Sequence, residues 1–545
     1  MQGLMQDVPL TLSLIFHRAE QLWPTKQLVT ATTTGKVRTT YGDWAGRVRR
    51  LAGALDDLGV SEAGRVGTFA WNTANHLEVY YAAPCSGRVL HTLNPRLFAE
   101  QITYIANHAE DEVVFVDRSL VPTLWPLVDQ LTTVRAYVVF DDDPAVELPD
   151  DPRLVGYEEL LAAASPASVD RVTDEGRAAA MCYTSGTTGN PKGVVYSHRS
   201  QVLHAMATLA VDCLGVRESD VVLPVVPMFH ANSWGLCQSG PLAGASFVFP
   251  GRDLSPTAVA DLIVDEGVTL AAGVPTVWLA AVPALEGRDT SRLRAVLCGG
   301  SAVPRALAET YRTRFGTTIT QAWGMTETSP IATSAFVRSE HAEADEEVKA
   351  DLRATQGLPV PLLEVRIAEP DTGDVLPWDG KVTGEVQVRA AWAARSYYDD
   401  DRSAESFTAD GWLRTGDVAS IAPDGYVRLV DRTKDLIKSG GEWISSVELE
   451  NELMAHPKIR EAAVVGVAHE RWQERPLACV VPEPGQSLTE GEVLDFLAPK
   501  VARWWLPDRV VFIDEVPRTS VGKFSKKTLR DRFADVLVSP TSEGE

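Results

Sequence analysis

The apolar run Ala178 to Cys182 leads into Tyr183-Thr184-Ser185-Gly186-Thr187-Thr188-Gly189-Asn190-Pro191-Lys192-Gly193, and a second strand-like run, Val194-Val195-Tyr196, follows at once. Three glycines permit unusual backbone angles and close approach of a ligand, while the hydroxyls of Thr184, Ser185, Thr187 and Thr188 and the free amides can cradle phosphate oxygens. A loop of this kind belongs at the carboxyl end of a strand in a layered α/β sheet, where ligands bind. It is not a Walker loop: G-x-x-x-x-G-K-[ST] is absent and a strand, not a helix, comes next, which disfavours P-loop kinases and GTPases.

Such a loop has to act against the charge of the whole chain. Fifty-one basic and 74 acidic residues leave a net charge of -23, which repels polyanions at long range and argues against a nucleic-acid partner. An anion must therefore be held by a specific site. At 545 residues and 45% hydrophobic the chain exceeds one ordinary core, so at least two domains are expected. The six cysteines (Cys85, Cys182, Cys213, Cys237, Cys298, Cys479) form no C-x-x-C pair, which argues against a zinc site or a disulfide framework. Leu10 to Phe16 is short, interrupted by Thr11 and Ser13, and preceded by Asp7, unlike a signal peptide. No run approaches the roughly 18 apolar residues of a membrane span. A soluble cytoplasmic protein is expected, and a homodimer is compatible with the sequence.

Apolar Ala45, Val48, Leu51, Leu55 and Leu58 predict a helix over Trp44 to Leu58, with Gly59 as its stop. Strand-like runs at Ala178–Tyr183, Val221–Val226, Ser246–Phe249 and Ala295–Leu297 alternate with helical stretches such as Pro304–Phe315, the pattern of α/β layering. The acidic stretch Glu340–Asp351 reads as a solvated helix or lid. A β-rich stretch ending in Tyr426-Val427-Arg428-Leu429-Val430 gives way at Asp431-Arg432-Thr433-Lys434-Asp435 to a new module. This module opens with the capping-box pattern Ser445-x-x-Glu448, has Leu449 and Leu453 on one helix face, and continues in a strand at Ala462–Ala468. The expected domains are 1–431 and 432–545.

The loop at 183–193 matches at every position the [ST]-S-G-[ST]-T-G-x-P-K-G pattern of the adenylate-forming superfamily, and four further blocks resembling that family follow in its order. Gly299-Gly300-Ser301-Ala302 resembles the block lining the adenine pocket. Gln321-Ala322-Trp323-Gly324-Met325-Thr326-Glu327 resembles Y-G-x-T-E, in which the aromatic flanks adenine, the threonine contacts the α-phosphate and the glutamate holds magnesium; Trp323 stands where tyrosine is usual, so stacking survives without a phenolic hydroxyl. Gly411 to Asp417 and Tyr426 to Asp435 resemble the ribose block, with Asp417 and Arg432 as the ribose and phosphate contacts. Gly440-Gly441-Glu442-Trp443, with Lys438, resembles the coenzyme A (CoA) segment, and Pro517 to Lys523 matches P-x-x-x-x-G-K. The resemblance implies a large N-terminal adenylate-forming domain of layered sheets and helices and a small mobile α+β C-terminal domain.

A carboxylate attacking the α-phosphate of ATP brings two anions together, so charge neutralisation dominates catalysis. The resemblance assigns Mg2+ to Glu327 and Thr184, the bridging cation to Lys523, nucleotide contacts to the loop residues through Gly189 and to Lys192, and the hinge of a rotating C-terminal domain to Lys434. Pro227-Met228-Phe229-His230-Ala231-Asn232-Ser233-Trp234 resembles the M-F-H-x-N-x-W block of medium- and long-chain fatty acyl-CoA synthetases, where the tryptophan gates the acyl tunnel; His230 is also assigned to catalysis, and Gly273-Val274-Pro275-Thr276 lies on the substrate side. His230 and Trp234, four apart, are expected on one face of a helix. The implied activity is ATP- and CoA-dependent activation of an apolar, fatty acid. Open alternatives are a short thioether acid such as 3-methylmercaptopropionate, an aryl acid, an amine or carrier-protein acceptor, or a non-catalytic binder; the presence of Lys523, Glu327 and Asp417 argues against the last.

Overall fold

The computed structural model describes the chain except residues 2, 185–189, 440–441, 470, 519–523, 535 and 538–545, and describes only the backbone at 402, 442 and 443. The chain packs as two compact units, Met1–Val365 with Val388–Leu413 and Arg366–Gln387 with Arg414–Glu545. The larger unit is α/β, with mostly parallel sheets, and the smaller unit is α+β, with mostly antiparallel ones.

In the larger unit a seven-stranded sheet runs in the order Leu154–Gly156, Ala136–Phe140, Asp111–Asp117, Arg65–Phe69, Val89–Thr92, Ala178–Tyr183, Gly193–Ser197. All neighbouring pairs but the last are parallel. The central strands are buried almost end to end, as in a sheet covered on both faces. The second sheet has nine strands, ordered Leu358–Pro359, Ile331–Ser334, Thr318–Gly324, Ala295–Gly299, Leu270–Gly273, Val221–Pro224, Ser246–Phe249, Gln27–Thr32, Gly35–Thr40. Four adjacent members, from Thr318–Gly324 to Val221–Pro224, are parallel. Their carboxyl ends therefore open on one edge, and the segments following them are those the sequence marks as functional.

Local chemistry explains where helices begin. The helix predicted from Trp44 spans Tyr41–Asp57, because Thr40 caps it: its Oγ1 accepts from Asp43 N at 3.2 Å. Ala45, Val48, Leu51 and Leu55 are fully buried, and Gly59 ends the turn at φ 66°. The acidic stretch forms a short turn, Ser339–His341, and the helix Glu346–Arg353. Glu346, Glu347 and Asp351 there pair with Arg312, Arg305 and Arg353.

The smaller unit holds most of a four-stranded sheet, Leu363–Ala368, Gly384–Ala390, Leu413–Ile421, Val427–Arg432, and a five-stranded sheet in which Gln473–Pro482 is flanked by Ile459–His469 and Arg509–Phe512. Ser445 Oγ accepts from Glu448 N at 3.1 Å and starts the helix Ser446–Met454, which buries Leu449 and Leu453 against Ile459, Val464 and Val480.

Candidate active site

The two ends of the phosphate loop meet at a closed neck in the larger unit. Ala178–Tyr183 and Gly193–Ser197 pair antiparallel with Tyr183 opposite Gly193. Thr184 N donates to Lys192 O at 2.9 Å, and Lys192 N donates to Thr184 Oγ1 at 3.3 Å. Thr184 and Lys192 are thus fixed at the two ends of the loop, while Ser185, Gly186, Thr187, Thr188 and Gly189 lie outside the described residues. The Lys192 ammonium sits 4.3 Å from the centroid of the Tyr397 ring and 3.4 Å from Ser406 Oγ.

Gly299 ends its strand opposite Ala322. A Cβ at Gly299 would lie 2.6 Å from Ala322 O, so the two backbones approach as only glycine allows. Gly300 follows at φ 81°, and Gly300, Ser301 and Ala302 are exposed. Gln321, assigned by resemblance to nucleotide, is buried, and its Oε1 accepts from Val303 N at 3.0 Å. Its side chain therefore braces the glycine turn. Trp323 is 8% exposed. At the bulge that follows, a Cβ on Gly324 would fall 1.8 Å from Pro330 O. Met325 N donates to Pro330 O at 3.1 Å, Thr326 O accepts from the Tyr196 hydroxyl at 2.8 Å, and Glu327, 5% exposed, accepts from the Tyr397 hydroxyl at Oε1 at 2.6 Å.

The acid-side block departs from the expected helix. His230 is extended (φ -119°), and Ala231, Asn232, Ser233 and Trp234 take φ of 43°, 52°, 54° and 55° before Gly235 at 77°. His230 and Trp234 therefore share no face of a right-handed helix; a left-handed turn carries them, each non-glycine residue at a steric cost of about 1–2 kcal/mol. Buried bonds hold the segment that leads into that turn and tie Ser233 back to it. Asn72 donates from Nδ2 to Pro224 O and Val226 O at 2.7 and 2.9 Å and accepts from Met228 N at 2.7 Å, the Tyr80 hydroxyl donates to Met228 O, and Ser233 Oγ donates to Val226 O at 3.1 Å. Trp234 is 5% exposed. Its Cη2 lies 3.4 Å from the position of a Gly299 Cβ, and Val274 Cγ1 lies 3.4 Å from that of Gly300. Trp234 and Val274 thus meet the glycine turn.

Asp417 and Arg432, on paired strands of the smaller unit, form an ion pair with Nε 3.0 Å from Oδ1. Lys434 follows, and removal of water from its ammonium lowers its pKa, with Asp435 opposing. Both flanks of Lys434 are anchored: Asp431 Oδ2 accepts from Ser446 N at 2.7 Å, and Arg530 pairs with Asp435 at 2.8 Å. Lys438 N donates to Glu474 Oε2 at 2.9 Å, and Lys438 stands opposite Trp443 and Ser439 opposite Glu442 on paired strands. Gly440, Gly441 and Lys523 lie outside the described residues.

Sequence reasoning missed Asn72, Tyr80, Tyr196 and Tyr397. Their hydrogen-bond partners at the site lie between 70 and 156 residues away, so no local pattern could expose them. All six cysteines are buried and free. Among the described residues no helix is long and apolar enough to cross a membrane, and no group of three or more His, Cys, Asp or Glu could hold a metal.

The family model described as AMP-binding enzyme matches residues 16–398, and that for the AMP-binding enzyme C-terminal domain matches 448–523. The chain is 44% identical to a 3-methylmercaptopropionyl-CoA ligase of Ruegeria lacuscaerulensis, over 98% of this chain and 100% of that one. It is 47% identical to a long-chain-fatty-acid–CoA ligase of Thermus thermophilus, over 97% and 96%. The crystal structure of ATP-bound MatB from Rhodopseudomonas palustris superposes with a TM-score of 0.81 at 25% identity, covering 97% of this chain and all of that one. The chain belongs to the adenylate-forming superfamily of AMP-binding enzymes and, within it, to the AMP-forming acid–thiol ligases.

Proposed function

We propose that this acyl-CoA ligase activates an apolar medium- or long-chain fatty acid, releasing pyrophosphate, and transfers the acyl group to CoA. The carrying observation is the wall formed by Trp234 and Val274 against Gly299 and Gly300, in a block, Pro227–Trp234, that has no Asp, Glu, Lys or Arg to meet a second polar group on the acid. A short thioether acid is the second reading, favoured by the 44% identical relative.

In this reading the amides and hydroxyls of 184–189 and Lys192 hold the phosphates, Gly300 to Ala302 and Gln321 to Thr326 receive adenine and the α-phosphate, and Asp417 and Arg432 receive the ribose. Glu327 and Thr184 offer hard oxygen donors, which fit Mg2+; that ion commonly uses one or two carboxylates together with substrate phosphates. When bound, the ion neutralises phosphate charge. Lys523 bridges the attacking carboxylate and an α-phosphate oxygen as a point charge. His230 completes the acid side. Residues 432–545 then rotate about Lys434, withdrawing Lys523 so that the thiol, guided by Lys438 and 440–443, reaches the acyl carbon. The six buried thiols fit a reducing compartment such as the cytoplasm.

A CoA-thioester screen over short, medium, long and aromatic acids tests the proposal. Highest kcat/KM with a medium or long saturated chain supports it. A preference of about tenfold or more, 1.4 kcal/mol in transition-state binding, for the thioether acid selects the second reading. Adenylate formed without any thioester from free CoA overturns both.

A further inference from the structure

One segment that no sequence motif marks touches the candidate site repeatedly. Ala394 N donates to Glu327 O at 2.7 Å, Ser329 Oγ donates to Trp392 O at 2.8 Å, and Tyr398 N donates to Gly193 O at 2.8 Å. Residues 392–398 therefore bind both the Thr326–Ser329 turn and the return strand of the phosphate loop. Tyr397 sits in the middle. It is 9% exposed, its hydroxyl donates to Glu327 Oε1 at 2.6 Å, and its ring lies 4.3 Å from the Lys192 ammonium.

We propose that Tyr397 is a positioning residue for adenylation: its hydroxyl fixes the Glu327 carboxylate for the metal ion, and its ring holds the Lys192 ammonium at the end of the phosphate loop. The inference rests on the reading of Glu327 as a magnesium ligand and of Lys192 as a phosphate contact. A hydrogen bond to a carboxylate is short and strong, and a phenol, unlike an ammonium or guanidinium, orients the carboxylate without cancelling its charge. The aromatic face attracts the ammonium electrostatically. One rigid side chain thereby sets the spacing of an anion and a cation that lie 135 positions apart in the sequence.

The test is ATP binding by calorimetry, without acid or CoA, as a function of free Mg2+. Tyr397→Phe keeps the ring and removes the hydroxyl; it should raise the half-saturating Mg2+ by about tenfold, as loss of a bond to a metal ligand does, with ATP affinity at saturating Mg2+ within about twofold of wild type. Tyr397→Leu should show the same metal shift and, in addition, weaken ATP at saturating Mg2+ by about two- to fivefold through loss of the cation–π contact. Glu327→Gln is the reference. If Glu327→Gln moves the Mg2+ midpoint and Tyr397→Phe does not, even with a lowered Tm, Tyr397 is merely structural and the proposal fails. If Glu327→Gln leaves the midpoint in place, the metal reading itself fails and takes this inference with it.

Discussion

Gly299→Ala isolates the close approach on which the proposed adenine side of the site is built. The added Cβ would stand 2.6 Å from Ala322 O and 3.4 Å from Trp234 Cη2. The second distance is an ordinary contact; the first is about 0.7 Å too short for carbon against a carbonyl oxygen. Because the oxygen belongs to the neighbouring strand, no side-chain rotation relieves the clash, and overpacking of this kind costs about 1–3 kcal/mol. If the strand Thr318–Gly324 yields, Trp323 moves with it, and ATP affinity should fall by about 5- to 100-fold at 1.4 kcal/mol per decade. Gly300→Ala makes the comparison: its Cβ would meet only Val274 Cγ1 at 3.4 Å, but φ is 81°, so about 1–2 kcal/mol of backbone strain is expected instead. Gly46, exposed within the helix Tyr41–Asp57 with nothing within 4 Å of a Cβ, is the control, and Gly46→Ala should stabilise by about 0.5–1 kcal/mol. Urea denaturation and calorimetric ATP binding read all three. Gly299→Ala as well tolerated as Gly46→Ala in both measurements would refute the steric argument.

Trp234→Ala should alter the acid chain-length profile measured as kcat/KM while ATP affinity stays within about twofold, because the proposed gate is apolar and remote in role from the phosphates; an unchanged acid profile sinks the gate. Lys523→Ala should abolish adenylation of a free acid and spare thioester formation from a pre-made acyl-adenylate, read by pyrophosphate release and thioester yield; equal loss of both removes its assigned role. In the smaller unit Lys526 is largely buried, with Nζ 2.8 Å from Glu450 Oε1 and 2.5 Å from Ser446 Oγ. Lys526→Met should therefore cost about 3–5 kcal/mol by leaving a buried carboxylate unpaired. Glu450→Gln in the same chain should recover much of that in urea denaturation, and a loss below about 1 kcal/mol for Lys526→Met alone contradicts the pairing.

Elements whose signal is local are legible in the amino-acid sequence. The helix Tyr41–Asp57, the strands at Ala178 and Ser246 and the helix opened by Ser445 follow from spacing and caps, because burial of one face and satisfaction of end groups are decided within a turn or two. The phosphate loop is equally local: its hydroxyls and glycines are contiguous, so family and chemistry can be read from 11 consecutive residues. The left-handed turn at 231–234 is not legible in this way. Four non-glycine residues at positive φ run against the usual backbone preference, and the bonds that brace the segment come from outside it: Asn72 and Tyr80 hold the backbone of Met228 just before the turn, and Ser233 Oγ donates to Val226 O.

By itself, then, the sequence determined the α/β class and the adenylate-forming family, since both are encoded in short, ordered blocks. Tertiary structure alone decided how the blocks are held. It set the bond between Tyr397 and Glu327, 70 residues apart, the contact of Trp234 with the Gly299 turn, and a packing division that runs through 365/366, 387/388 and 413/414. These depend on which strands become neighbours in a sheet, and strand order is settled by burying whole faces at once, a condition that no window of sequence contains.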